Sequence, residues 1–237
     1  MAGPFSDAVD SLSSMSGRES DLWKPVLHAI PVEGAAISTI ADFLGAETVS
    51  ASGPLAARLD ELQFDLGEGP CWDAMRTGRP ILEPDLRSNP NRNWPAFSQA
   101  ISEESVAAIY AFPLAFGPLK IGAMDLFSDV PRELTPREER QSGILAGLIS
   151  RIVLDRAIRR ADEPDVFGLE DQFSRRLIHQ ATGMVLAQLN VSAEDARLLI
   201  QGHAFAQNVS MREVAEEILE RRLDFSNQAN GFESSDG

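Results

Sequence analysis

The stretch 161–171, ADEPDVFGLED, divides the chain into two segments that cannot follow one secondary-structure pattern. It holds five acids and no base, with Pro164 and Gly168 as helix breakers, and reads as an acidic linker. After it, apolar residues recur at helical period. Before it, short runs rich in Ile, Val, Thr and Ser are bounded by glycines and interspersed with helical patterns. A chain of 237 residues is long enough for one large or two small domains, and this break favours two.

Residues 172–225 predict three short helices. Phe173, Leu177, Ala181, Met184 and Leu189 form an apolar stripe that ends at Asn190. Ser192 then offers an N-cap with Asp195 at the third helical position. Ala196, Leu199, Ile200, His203 and Ala204 carry a second stripe as far as Asn208. Ser210 and Glu213 form a capping box, with Val209 placed to staple onto Val214. Met211, Val214, Ala215, Ile218 and Leu219 share the third face. This pattern fits a helical dimerisation or docking domain as well as a nucleic-acid binder. From Ser226 the residues are polar and glycine-containing, and 226–237 read as a disordered tail.

Particular residues go further. Gln180-Ala181-Thr182-Gly183-Met184-Val185, then Ala196, His203-Ala204-Phe205-Ala206 and Glu213-Val214-Ala215, follow in an order and spacing that resembles the ANTAR domain, an RNA-binding antitermination module. Gly183 fits a close approach of two helices, since an interior glycine otherwise costs about 1 kcal/mol against alanine. The resemblance implies binding of paired RNA hairpins. Many family members carry lysine where this chain has Thr182, and residues 172–225 hold six arginines against seven acids, a net of −1. Phosphate contacts normally supply most of the affinity, so any RNA site must be local. The expected contacts are Arg175, Arg176, Gln180, Thr182 and Arg212, the last at a helix start where backbone amides favour phosphate. Arg197, Arg221 and Arg222 have acids at helical spacing and read as surface ion pairs.

Upstream, strands are expected near 34–41, 47–52, 80–83, 106–116 and 119–127, the last two joined as a hairpin at Gly117-Pro118. Helices are expected near 55–64, 70–76 and 96–104. The fold class is therefore α+β around an antiparallel sheet. This order, with the phrases LGEGPCWDAMRTGRPI and YAFPLAFGPLKIGAMDLFS, resembles a GAF sensor domain over residues 20–155, preceded by an N-terminal segment 1–19. Such a domain implies a pocket for an unknown small molecule or signalling partner. Trp72, Tyr110, Phe112 and Met124 are candidate lining residues, with plain core as the alternative for each.

A long helix over 135–160 closes the first domain and joins it to the three-helix ANTAR domain. Thr135, Pro136 and Glu138 mark its start. Ile144, Leu145, Leu148, Ile149, Ile152 and Val153 cover more than one stripe, which implies a homodimer through this helix. Arg156, Arg159 and Arg160 suit its C-terminal end.

The net charge of −15, from 36 acids and 21 bases, argues against nonspecific coating of nucleic acid or membrane. The single cysteine, Cys71, excludes an internal disulfide and a cysteine-based zinc cluster. His28, His179 and His203 lie outside metal-motif spacing, so neither a metal nor a cofactor is expected. The first residues lack the basic flank and apolar core of a signal peptide, and a cytoplasmic protein without membrane contact is expected. The composite expectation is a non-enzymatic transcription antitermination regulator. A DNA-binding helical regulator is one alternative, for which residues 210–222 carry few bases. A GAF-type thiol reductase is the other, for which Cys71 lacks a resolving partner.

Overall fold

The computed structural model describes residues 3–15, 19–40, 46–88, 92–162, 176–207 and 209–226, and divides into two compact units, 1–173 and 174–237. The first is built on an antiparallel sheet of β1 (Gly34–Thr39), β2 (Glu47–Ala51), β3 (Ile81–Glu83), β4 (Ala108–Phe116) and β5 (Leu119–Ser128). The strand order is β2-β1-β5-β4-β3. The hairpin expected at Gly117-Pro118 is present, and Gly117 takes the left-handed conformation there at φ 58°.

Side chains alternate across this sheet, and each face is buried by different helices. One face, including Ile37, Tyr110, Phe112, Met124 and Leu126, packs in one cluster with residues of α1 (Pro4–Ser13), α2 (Trp23–Ala29) and α6 (Pro136–Asp162). The other, including Ala36, Ile109 and Phe127, meets α3 (Pro54–Leu66) and α5 (Pro95–Ala100). Helix α4 (Pro70–Thr77) follows α3 through the LGEGPC turn.

Two boundaries differ from the expectation. Residues 1–19 are not merely a leading segment, because α1 sends Ala8 and Leu12 into the main core. Phe5 and Val9 pack beside them, and the spacing of Phe5, Ala8, Val9 and Leu12 is a helical stripe that was a usable signal in sequence. The closing helix is as expected in position and slightly longer. Its start is a capping box, with the Glu138 N–H donating to Thr135 Oγ1 at 3.2 Å and the Thr135 N–H to Glu138 Oε2 at 2.8 Å. Arg156 pairs with Glu47 of β2 at 3.7 Å, which ties the basic end of α6 to the sheet. Most of the linker, 163–171, and the tail beyond Ser226 lie outside the described residues.

The second unit holds α7 (Arg176–Leu189), α8 (Ala193–Gln207) and α9 (Met211–Leu219). Both expected caps form. The Asp195 N–H donates to Ser192 Oγ at 3.1 Å, and Ser210 with Glu213 makes the reciprocal capping box. The stripe on α7 is rotated by about one residue from the expectation: Ile178, Ala181 and Val185 are buried, while Leu177, Met184 and Leu189 are half-buried. On α8, Ala196, Ile200 and Ala204 are buried and Leu199 faces out. Val209 also stays exposed rather than being stapled down.

Candidate sensor core and nucleic-acid interface

In the first unit the polar chemistry converges on Gln63, a fully buried residue of α3. Its Nε2 donates to Asp125 Oδ2 at 2.5 Å, and its Oε1 accepts from the Cys71 N–H at 2.8 Å. Its backbone carbonyl accepts from Trp72 Nε1 at 2.6 Å. One side chain thus links α3, the start of α4 and the centre of the sheet. The glycines of LGEGPC make this approach feasible. Gly69 sits at φ 128°, and a Cβ there would lie 2.6 Å from Gln63 Cγ, so only glycine fits. Glu68 turns the other way and accepts from the Ala96 and Phe97 N–H groups at 3.0 and 3.2 Å, capping α5.

Asp125 lies at mid-sheet opposite Ala36 of β1 and Ala111 of β4. Its Oδ1 is buried without a hydrogen-bond partner. Burial pushes its carboxyl up to about 8, reinforced by the nearby Asp60 carboxylate and opposed by the Gln63 bond. Asp60 in turn accepts from the Thr48 hydroxyl of β2. On the face toward α3, Asp125 is therefore flanked by the small side chains of Ala36 and Ala111, and its raised pKa favours the protonated carboxyl at neutral pH.

This geometry relocates three of the four candidate lining residues. Tyr110, Phe112 and Met124 are fully buried on the opposite face and pack into the core with α1, α2 and α6. The reason is register: Tyr110 pairs with Leu126 and Phe112 with Met124, so the large apolar members of β4 and β5 share one face. The Tyr110 hydroxyl donates to the Arg132 carbonyl at 2.5 Å, and burial pushes its phenol up to about 12. Trp72 is on the α3 side, half-buried and stacked against Phe64 at 6.4 Å between ring centroids. Asp125 went unnoticed in sequence, although an acid inside the apolar run LKIGAMDLF was a usable signal. Cys71 is buried, and no group of residues able to hold a metal ion occurs among the described residues.

In the second unit the five expected RNA contacts meet different fates. Arg175 lies outside the described residues, and Arg176 opens α7 with its side chain likewise outside them. Gln180 is exposed on α7. The Thr182 hydroxyl is turned back onto its own helix, donating to the Ile178 carbonyl at 2.7 Å. Arg212, in the first turn of α9, pairs with Glu216 at 3.3 Å. Arg222 pairs with Glu217 and Glu220 from beyond the end of α9, not at the helical spacing expected. Gly183 does not mark a close approach within the unit: it faces out, and a Cβ there meets nothing within 4 Å.

Comparison with known proteins gives these two units a family. The GAF domain model matches residues 21–153, more than half of the chain, and the ANTAR domain model matches residues 172–219. The chain belongs to the GAF family, with an ANTAR domain following. The fold of the GAF unit is shared with solved GAF domains of phosphoenolpyruvate-protein phosphotransferases. The one from Coxiella burnetii is 15% identical with a TM-score of 0.51, covering 67% of this chain and 95% of that one. The one from Acinetobacter is 12% identical with a TM-score of 0.51, covering 70% and 96%. No curated protein matches the chain. GAF and ANTAR domains are regulatory in type rather than catalytic. No helix among the described residues is long and apolar enough to cross a membrane.

Proposed function

We propose that this chain is a transcription antitermination regulator that binds hairpin RNA through its ANTAR unit under the control of its GAF unit. The observation that carries the reading is the pairing of the two matched domains, each on its own compact unit, in sensor-then-effector order. RNA would be read by loop shape and exposed bases, with Arg175, Arg176 and Arg212 on phosphates and Gln180 on a base or sugar edge. Thr182 contributes least, because its hydroxyl already has an intrahelical acceptor.

Two copies would present two such sites to paired hairpins, which offsets the few cations of each ANTAR unit. The surface that supports a homodimer through α6 is the side turned away from Leu145, Ile149 and Val153, where Ile144 and Ile158 are more than half exposed. The signal would enter on the α3 side of the sheet, where Asp125 Oδ1 lacks a partner and Gln63 links that carboxyl to α3 and α4. The burial of Cys71 supports sensing rather than thiol chemistry.

Recovery of RNAs crosslinked to the full chain in its native host tests the proposal. Enrichment of leader transcripts bearing paired hairpins before a terminator is expected; a pool with no shared hairpin would contradict it.

A further inference from the structure

Asp125 is 5% exposed, and among the described residues no cation meets its carboxyl. Helix α3 brings Asp60, itself 2% exposed, with Gln63 and, further along, Asp65; its Arg58 is paired with Glu61 at 3.3 Å. Helix α4 brings Cys71, and its Arg76 is paired with Asp73 at 2.8 Å. Strands β1 and β4 set only Ala36 and Ala111 opposite the acid, and β2 adds Thr48, whose hydroxyl donates to Asp60. The one charge that acts on Asp125 is therefore the Asp60 carboxylate, and it repels. Neither state of the acid is fully satisfied. Oδ2 accepts from Gln63 Nε2, so the proton of the neutral acid belongs on Oδ1, which has no hydrogen-bond partner. Once that proton leaves, the same buried oxygen shares a charge that no donor meets. An unpaired buried charge costs more than an unpaired hydroxyl, so this packing is tied to the protonated acid.

We infer that loss of this proton releases α3 and the start of α4 from the sheet, so that the GAF unit takes alkaline pH as a signal. Asp60 and Gln63 both stand on α3, so a shift of that one helix relieves the repulsion and lets water reach the carboxylate. Gln63 passes the shift on. Its Oε1 holds the Cys71 N–H at 2.8 Å and its backbone carbonyl holds the Trp72 indole at 2.6 Å, which ties the start of α4 to α3. Burial raises the acid from 3.8 to about 8, which sets the response just above neutrality. With α3 released and the acid in water, the ordinary value returns. The closed form thus holds a proton that the open form gives up, and opening becomes easier by about tenfold per pH unit between the two values. The inference rests on reading this face as the sensing side. Its test uses no RNA, so its failure leaves the RNA reading standing.

Alkylation of Cys71, the single cysteine of the chain and a buried one, tests it in the full-length protein. Rates with iodoacetamide are measured for the unsubstituted chain and for Asp125→Asn from about pH 6.5 to about pH 9.5. Their ratio at each pH cancels the ionisation of the thiol itself. That ratio should rise by about tenfold per pH unit up to about 8 and level off above it. A second pair of chains, with and without Asp125→Asn, carries Cys71→Ser and Ala146→Cys. Ala146 is buried in the core on the α6 face, so its ratio should stay constant while α3 is released. A ratio at residue 71 that does not change with pH would overturn the inference. So would an equal rise at residue 146, because the whole unit would then be unfolding.

Discussion

The GAF unit and the ANTAR unit place polarity in opposite positions. In the first, Asp60, Gln63 and Asp125 are buried between α3 and the sheet, with Gln63 hydrogen-bonded to Asp125 and Thr48 to Asp60; in the second, Leu198, Leu199 and Phe205 stand in solvent. A buried polar network tolerates little rearrangement, since each member that loses its partner stays desolvated. An exposed apolar face tolerates substitution in the isolated unit and changes what the unit can meet. Substitutions in the GAF core should therefore be read in stability and pH dependence, and substitutions on the ANTAR surface in binding.

The largest effect is expected at Gln63. Gln63→Ala removes the donor to Asp125 and the acceptor for the Cys71 N–H, and leaves a cavity between α3 and β5. A loss of about 3–5 kcal/mol in denaturant unfolding of the GAF unit is expected. A loss below about 1 kcal/mol would show that the network does not organise this core.

Asp125 comes next, and its effect is a slope. Its carboxyl is raised to about 8, so between the unfolded value of 3.8 and that pH the folded chain holds a proton that the unfolded chain has released. The contribution is fully present below the unfolded value and is lost as pH rises through about 8. Stability should fall with pH across this window, at a slope on the order of 1 kcal/mol per pH unit from this group alone. Asp125→Asn mimics the protonated acid and should flatten that slope; an unchanged slope by thermal unfolding from pH 5 to 8 would contradict the assignment.

Effects in the ANTAR unit are smaller. Ser210→Ala removes the cap of α9 and should lower the stability of this unit by about 1 kcal/mol. Gly183→Ala should raise it by somewhat under about 1 kcal/mol, because the added methyl meets open space and alanine favours the helix. A destabilising Gly183→Ala would restore the close-approach explanation that the structure removes.

Much of this was legible in sequence where local signals are strong. The β4–β5 hairpin follows from two apolar runs flanking Gly117-Pro118, and α6, α8 and α9 are announced by Thr135, Ser192 and Ser210. Helix α2 was not, because Pro25 interrupts a seven-residue pattern too short for periodicity to register. The two faces of the sheet were not told apart in sequence for a different reason. Alternation along β4 and β5 separates two sets of residues but does not say which helices cover each, and size pointed to Tyr110, Phe112 and Met124. The useful marker was polarity, since Asp125 is the acid inside an apolar strand. On the RNA side, the cap at Ser210 fixes where Arg212 starts α9, but its partner Glu216 emerges only from the side-chain geometry.

The central claim is that the ANTAR unit binds hairpin RNA through a few local cations. It is tested most directly by titrating the full chain, and the Arg175→Ala/Arg176→Ala variant, into tandem-hairpin RNA and duplex DNA over a salt series. The account predicts preference for the RNA. It also predicts that the variant binds more weakly, with a salt slope shallower by about 0.7–0.9 per lost phosphate contact. Equal binding to both nucleic acids, or a slope that the double substitution leaves unchanged, would contradict it.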